Sequence, residues 1–187
     1  IIEPPIRRAA GKPKGKLTKS DLHKVESITL TRKSISDIAT MSDLNGLTSL
    51  SLNDNEISDL KPLSGLTRLE VLMLQGNQIS NIKPLAGLTQ LKQLNLSRNR
   101  VSTLTSLSGM ESLEKLNLIN NQITNLRPLT KLKSLESLML NFNQVTDLTP
   151  LFGLKNLETL MLTCNLDLDD DLVEELEEAL PRCEIEY

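Results

Sequence analysis

"LNLSRNRVSTLTSLSGMESLEKLNLINNQITNL" occupies residues 94–126 and states one pattern twice: Leu94, Leu96 and Asn99 are answered by Leu116, Leu118 and Asn121, 22 residues later. Followed in both directions, the phase L-x-x-L-x-L-x-x-N gives units that start at Val25, Leu47, Leu69, Leu91, Leu113, Leu135 and Leu157, with no insertion between them. Positions 1, 4, 6, 11, 14, 17 and 20 of each unit are apolar; in the third unit they are Leu69, Leu72, Leu74, Ile79, Ile82, Leu85 and Leu88. All 42 such positions in the six complete units are Leu, Ile, Val or Met, so the period is a structural rule and not an accident of composition.

The spacing carries a physical meaning. Positions 4 and 6 alternate with polar neighbours, which is the period of a short strand with one buried face. The later apolar positions fall three apart, and Pro62, Pro84, Pro128 and Pro150 stand just before position 17, a combination suited to a tight extended or 3₁₀ return. One unit cannot bury seven apolar side chains by itself, whereas stacked units bury them against one another. The predicted fold is therefore an α/β solenoid: a curved stack with a parallel β-sheet on its concave side and short 3₁₀ or extended segments on its convex side. Position 9 holds Asn55, Asn77, Asn99, Asn121, Asn143 and Asn165, with Lys33 in the first unit. A carboxamide has two donors and an acceptor, so a column of Asn can satisfy the buried amides of each turn, and a structural role is expected for all six.

The pattern resembles the leucine-rich repeat proteins, in particular the 22-residue class found in bacterial internalin-like proteins and in a regulatory subunit of protein phosphatase 1. The repeats cover residues 25–166. The stretches "PPIRRAAGKPKGKLTKSDLHKVESITL" and "VEELEEALPRCEI" are similar to the N-terminal and C-terminal caps of bacterial members, which divides one domain into a cap at 1–24, repeats at 25–166 and a cap at 167–187. Pro4 and Pro5 suit the start of a helix that runs through Ala10 and stops at Gly11, and Thr18 with Asp21 has the spacing of a capping box. Beyond the repeats, Asp169, Asp170 and Asp171 favour a helix N-terminus, Leu172, Val173, Leu176 and Leu180 form one apolar stripe, and Cys183 with Ile185 suggests a last strand.

Composition narrows the function. The chain has 187 residues and a formal net charge of -3, which gives no footprint for nucleic acid, and polar residues interrupt every hydrophobic run, which excludes insertion into a bilayer. The charge is polarised: residues 1–24 hold seven Lys or Arg against two acids, and residues 165–187 hold ten acids against one Arg. His23 is the one histidine, so no catalytic triad or multi-histidine metal site is available. "GKPKGKLT" lacks the glycine spacing of a phosphate loop and has Leu17 after Lys16. Asp167, Asp169, Asp171 and Glu178 have calcium-loop spacing, yet Leu172 stands where the turn needs glycine, so no metal is expected. Counting Leu180 as position 1 of a last unit puts Cys183 four residues of strand, about 13 Å, from Cys164. Two free thiols are expected.

What remains is the concave face, formed by positions 3, 5, 7, 8 and 10. Ser49, Ser51, Asn53, Gln93, Asn95, Asn117 and Asn141 are small or polar, and against them Val71, Met73, Ile119, Met139, Phe142 and Met161 stand out. Contiguous apolar area on a solvated face marks an interaction site. The expectation is a non-enzymatic, monomeric module without cofactors that binds a protein partner there; seven strands at about 4.8 Å span about 29 Å, enough for a standard interface. The alternatives are a spacer or surface-display segment of a larger secreted bacterial protein, and a phosphatase-regulator-like adaptor. The resemblance implies a secreted or cell-surface bacterial location, with the cytoplasm as the alternative, and the start at Ile1 rather than Met leads us to expect a preceding segment. Internalins that grip host receptors usually continue into an immunoglobulin-like domain and carry many concave aromatics; this sequence stops at Tyr187 and has Phe142 nearly alone, so host adhesion is not expected.

Overall fold

Positions 3 to 5 of every unit form a three-residue strand: β1 (Ser27–Thr29), β2 (Ser49–Ser51), β3 (Val71–Met73), β4 (Gln93–Asn95), β5 (Lys115–Asn117), β6 (Ser137–Met139) and β7 (Thr159–Met161). A final strand, β8 (Glu184–Glu186), completes one parallel sheet in which the spatial order is the chain order. The computed structural model from which these elements are taken describes residues 1–165 and 168–187. Leu166, the last repeat residue predicted, and Asp167, the first of the calcium-loop positions, lie outside the described residues.

The register is the sequence period made physical. Leu72 pairs with Leu94 and Leu94 with Leu116, so each side chain meets its own counterpart one unit on. All 42 apolar positions are at most 4% exposed, which makes the core a continuous aliphatic column. The chain returns through 3₁₀ turns at Ala39–Met41, Lys61–Leu63, Lys83–Leu85, Thr105–Leu107, Arg127–Leu129 and Thr149–Leu151. Proline occupies the middle of four of these, where its fixed φ fits and no amide hydrogen is wanted. Position 13 supplies a device that the sequence reading missed: Asp37, Asp59, Asn81, Asn125 and Asp147 each accept, at 2.8 to 3.0 Å, the backbone N–H two residues on and so set up the turn.

The position-9 asparagines link successive turns. Asn121 Oδ1 accepts from Val101 N–H at 2.9 Å, and its Nδ2 donates to the Leu96 and Leu118 carbonyls at 3.0 Å. The same three bonds recur at Asn55, Asn77, Asn99, Asn143 and Asn165. Each side chain thus satisfies one donor and two acceptors that the turn would otherwise bury unpaired, at about 1–3 kcal/mol for each group left bare.

The ends are closed by helices. α1 (Glu3–Ala9) has prolines in its first turn, buries Ile6, packs beside β1 and ends at Gly11, whose φ of +65° is the left-handed stop glycine tolerates. α2 (Lys19–His23) starts with a reciprocal Thr18–Asp21 capping box. Lys12 joins that box through a 2.7 Å ion pair, and Lys12 followed by Thr18 holds the Asp21 carboxyl well below the usual carboxylate range. Part of the basic segment is therefore structural: Arg7 also spans to Glu3 and the Gly15 carbonyl. His23 is an exposed residue at the end of α2, and its carbonyl lies so close to Gly46 that a β-carbon there would fall 2.0 Å away.

At the other end α3 (Asp170–Ala179) is capped by Asp169, which accepts from Asp171 N–H, and it buries Val173 and Leu176, followed by Leu180 just past its end. Leu172 is half-buried. One expectation is corrected here. Ile185 pairs with Leu160, so the step from β7 to β8 is 25 residues rather than 22, and Cys183 stands at position 2 of the terminal unit, not position 4. The three extra residues belong to the segment that contains α3; the free thiols of Cys164 and Cys183 are offset by six strand positions instead of four.

Candidate functional site: the outer face of the sheet

Because strand side chains alternate, positions 3 and 5 point away from the column of Leu and line the outer face. Register decides which of them are neighbours. Met139 pairs with Met161, Met161 with Glu186, and Asn117 with Met139, so the two methionines form one apolar step between an amide and an acid. Val71 and Met73, on β3, are separated from that step by β4 and β5. All four side chains are half-buried, as is Ile119. Position 7 closes in two units, where Ser97 is 4% and Asn141 9% exposed, while Thr31, Asn53, Gln75, Ile119 and Thr163 stay half-buried. Asn141 Nδ2 donates to Thr163 Oγ1, and its buried Oδ1 has no partner among the described residues.

The turn itself carries a column that sequence reading did not identify. Position 8 has a positive φ in all seven units: Arg32, Asp54, Gly76, Arg98, Asn120, Phe142 and Cys164 lie between 55° and 65°. In the first six units its N–H donates to the position-7 carbonyl of the next unit, as from Phe142 to Thr163 at 2.9 Å. The left-handed region suits Gly76, Asn120 and Asp54, which were the available signal, and arginine, phenylalanine and cysteine obscured it. Phe142 is the exception with consequences. A bulky side chain is held in a disfavoured backbone conformation and is 57% exposed to solvent.

The two thiols differ in environment. Cys164 is exposed, whereas burial, with a smaller contribution from the adjacent Glu184 carboxylate, pushes the Cys183 thiol from its ordinary 9.0 up to about 11. An acid whose folded pKa is raised keeps its proton longer than in the unfolded chain, so this group removes stability as pH rises from 9.0 toward 11. Iodoacetamide at pH 8.5 should accordingly modify Cys164 first and Cys183 slowly, with mass spectrometry after digestion as the readout; equal rates would contradict the burial of Cys183. Among the described residues no group of three or more His, Cys, Asp or Glu is placed to hold a metal ion, and no helix is long and apolar enough to cross a membrane.

Known proteins agree with this geometry. The family model for Leucine Rich repeats (2 copies) matches residues 45–85, 67–109 and 111–153. Internalin C2 of Listeria monocytogenes is 34% identical with a TM-score of 0.89, over 97% of this chain and 79% of that one. Internalin F of the same species is 27% identical with a TM-score of 0.88, over 97% of this chain and 53% of that one. A leucine-rich repeat protein of Leptospira interrogans is 26% identical with a TM-score of 0.79, over 92% of this chain and 52% of that one. This chain thus spans about half the length of the latter two, and no curated protein sequence matches it. The chain belongs to the leucine-rich repeat family and is an internalin-like member of it.

Proposed function

We propose that the outer face of the sheet is a docking surface for a protein partner and that the chain is a non-enzymatic interaction module. Leucine-rich repeat domains generally serve protein–protein interaction, and the single observation that supports this face is Phe142. Its ring is 57% exposed, and the other large hydrophobics so exposed among the described residues are the terminal Ile1 and Tyr187, so this is a mid-chain aromatic whose burial on a partner would gain free energy. Three residues back along the same unit is Met139, which pairs with Met161, and the two supply adaptable apolar surface, with Ile119 at the edge and Val71 and Met73 as a separate point. Energy at an interface is concentrated in a few such anchors, while small polar neighbours exclude water.

The test separates binding from folding. Phe142→Gly removes the ring and relieves the left-handed strain, so it should stabilise the fold by about 1 kcal/mol in urea unfolding. Phe142→Ala combined with Met161→Ala should melt nearly as the parent does. A partner recovered on the immobilised chain from its native host should be released by that double variant, with a loss of roughly 2 kcal/mol or more for the dominant anchor. Loss of several kcal/mol of stability would instead assign these side chains to the core, and a partner indifferent to them but sensitive to Arg8, Lys14 and Lys16 would move the site to the N-terminal cap.

A further inference from the structure

Between the two apolar points the outer face holds a hollow of about 170 Å³, bounded by Met73 at one end and Met139 at the other, with Gln93, Asn95, Lys115 and Asn117 between them. Its lining holds one cation, Lys115, and no carboxylate, and beside Gln93 and Ser137 it has two carboxamides of fixed orientation. Asn95 Oδ1 accepts from Ser97 N–H at 2.9 Å, and Asn117 Oδ1 accepts from Ile119 N–H at 3.0 Å. Those bonds fix both carboxamides with the oxygen turned to the backbone, which leaves each Nδ2 without a partner among the described residues. Asn95 and Asn117 pair across β4 and β5, so the two donor groups stand side by side. Lys115, exposed on the neighbouring row, takes part in none of the four ion pairs found among the described residues. The two units that carry β4 and β5, residues 91–134, hold seven Lys or Arg against two acids in a chain whose net charge is -3.

We propose that this hollow receives an extended acidic segment of a protein partner: one carboxylate on Asn95, Asn117 and Lys115, and an apolar residue two positions to either side packed on Met73 and Met139. Spacing supports this occupant. Met73 and Met139 are three strands apart, about 14 Å at ~4.8 Å per strand, and residues i and i+4 of an extended segment are about 13 Å apart and on the same face as residue i+2. A carboxylate matches donors that have no acceptor, and charge-assisted bonds to amide and ammonium groups are the stronger kind. A cationic segment fits less well: the hollow's acceptors are the neutral Gln93 and Ser137 side chains, no carboxylate lines it, and the Lys115 ammonium stands beside it.

The inference rests on the outer face being the docking surface, and the test keeps the two apart. A phage-displayed library of random nine-residue peptides is selected on the immobilised chain, and binding clones are remeasured on Lys115→Gln and on the Phe142→Ala, Met161→Ala double variant. The expected result is enrichment of Asp or Glu flanked by apolar residues two positions away on each side, with binding weakened about tenfold or more by Lys115→Gln. Clones without an acid that ignore Lys115→Gln but are lost on the double variant would overturn the inference and leave the docking face intact. Clones indifferent to both variants would overturn both. A selection that enriches nothing would overturn the acidic-segment inference alone, since the docking face is judged by its own partner.

Discussion

Leu94→Asp should lower the unfolding free energy by roughly 4 kcal/mol or more, whereas Gln93→Asp, one residue earlier, should change it by no more than about 0.5 kcal/mol. Leu94 is 1% exposed and stands between Leu72 and Leu116 in the buried column. A carboxylate there has neither water nor a cation in reach, and the cavity left by the lost isobutyl group adds to the cost. Gln93 lies on the outer face between Val71 and Lys115, so an acid at that position keeps its hydration and gains a nearby ammonium. Urea midpoints measured on the two variants decide the matter. Equal midpoints would falsify the inward assignment of position 4 for every unit, since one register governs them all.

The period was legible because each apolar position of the unit meets its own counterpart 22 residues on, so one physical requirement is written out in full six times. The position-9 asparagines were legible for the same reason. A column interrupted by varied side chains is harder to read, and position 8 shows why. Its backbone conformation is uniform, but only Gly76, Asn120 and Asp54 belong to types that favour it; Arg32, Arg98, Phe142 and Cys164 are held there by the strand before and the asparagine after. The burial of Asn141, which reads as an outward polar residue at position 7, was hidden as well. The placement of β8 was misread by two positions for a different reason. Once α3 replaces the 3₁₀ return, the 22-residue count no longer measures one turn of the solenoid, and the pairing of Ile185 with Leu160 sets the phase instead. The apolar residues of the outer face could be identified in sequence, but which of them adjoin required the pairing of Met139 with Met161. The pair of outward Nδ2 donors in the hollow was not legible at all, because nothing in the letters Asn95 and Asn117 tells which end of each carboxamide the backbone has taken.

Removal of residues 168–187 should convert a cooperatively unfolding protein into one that aggregates or loses its single transition. The segment does two separate jobs. α3 covers the end of the apolar column with Val173, Leu176 and Leu180, and β8 pairs with β7 and takes up the open strand edge through bonds such as Leu162 N–H to the Glu186 carbonyl at 2.6 Å. Without it, Leu160 and Leu162, both now fully buried, would face solvent on one side, and β7 would present unpaired amides of the kind that recruit another chain. Solenoids are stabilised unit by unit through nearest-neighbour interfaces, so loss of a terminal interface is not shared out over the stack but falls on the last repeat. Leu176→Asp offers the same test with the chain length kept: it uncaps the column while β8 is still available. Light scattering during a thermal ramp, with circular dichroism recorded in parallel, distinguishes the outcomes. A truncated chain that stays monomeric and melts at the parental midpoint would show that the seventh unit closes the core by itself and that α3 is an attachment to the solenoid rather than its lid.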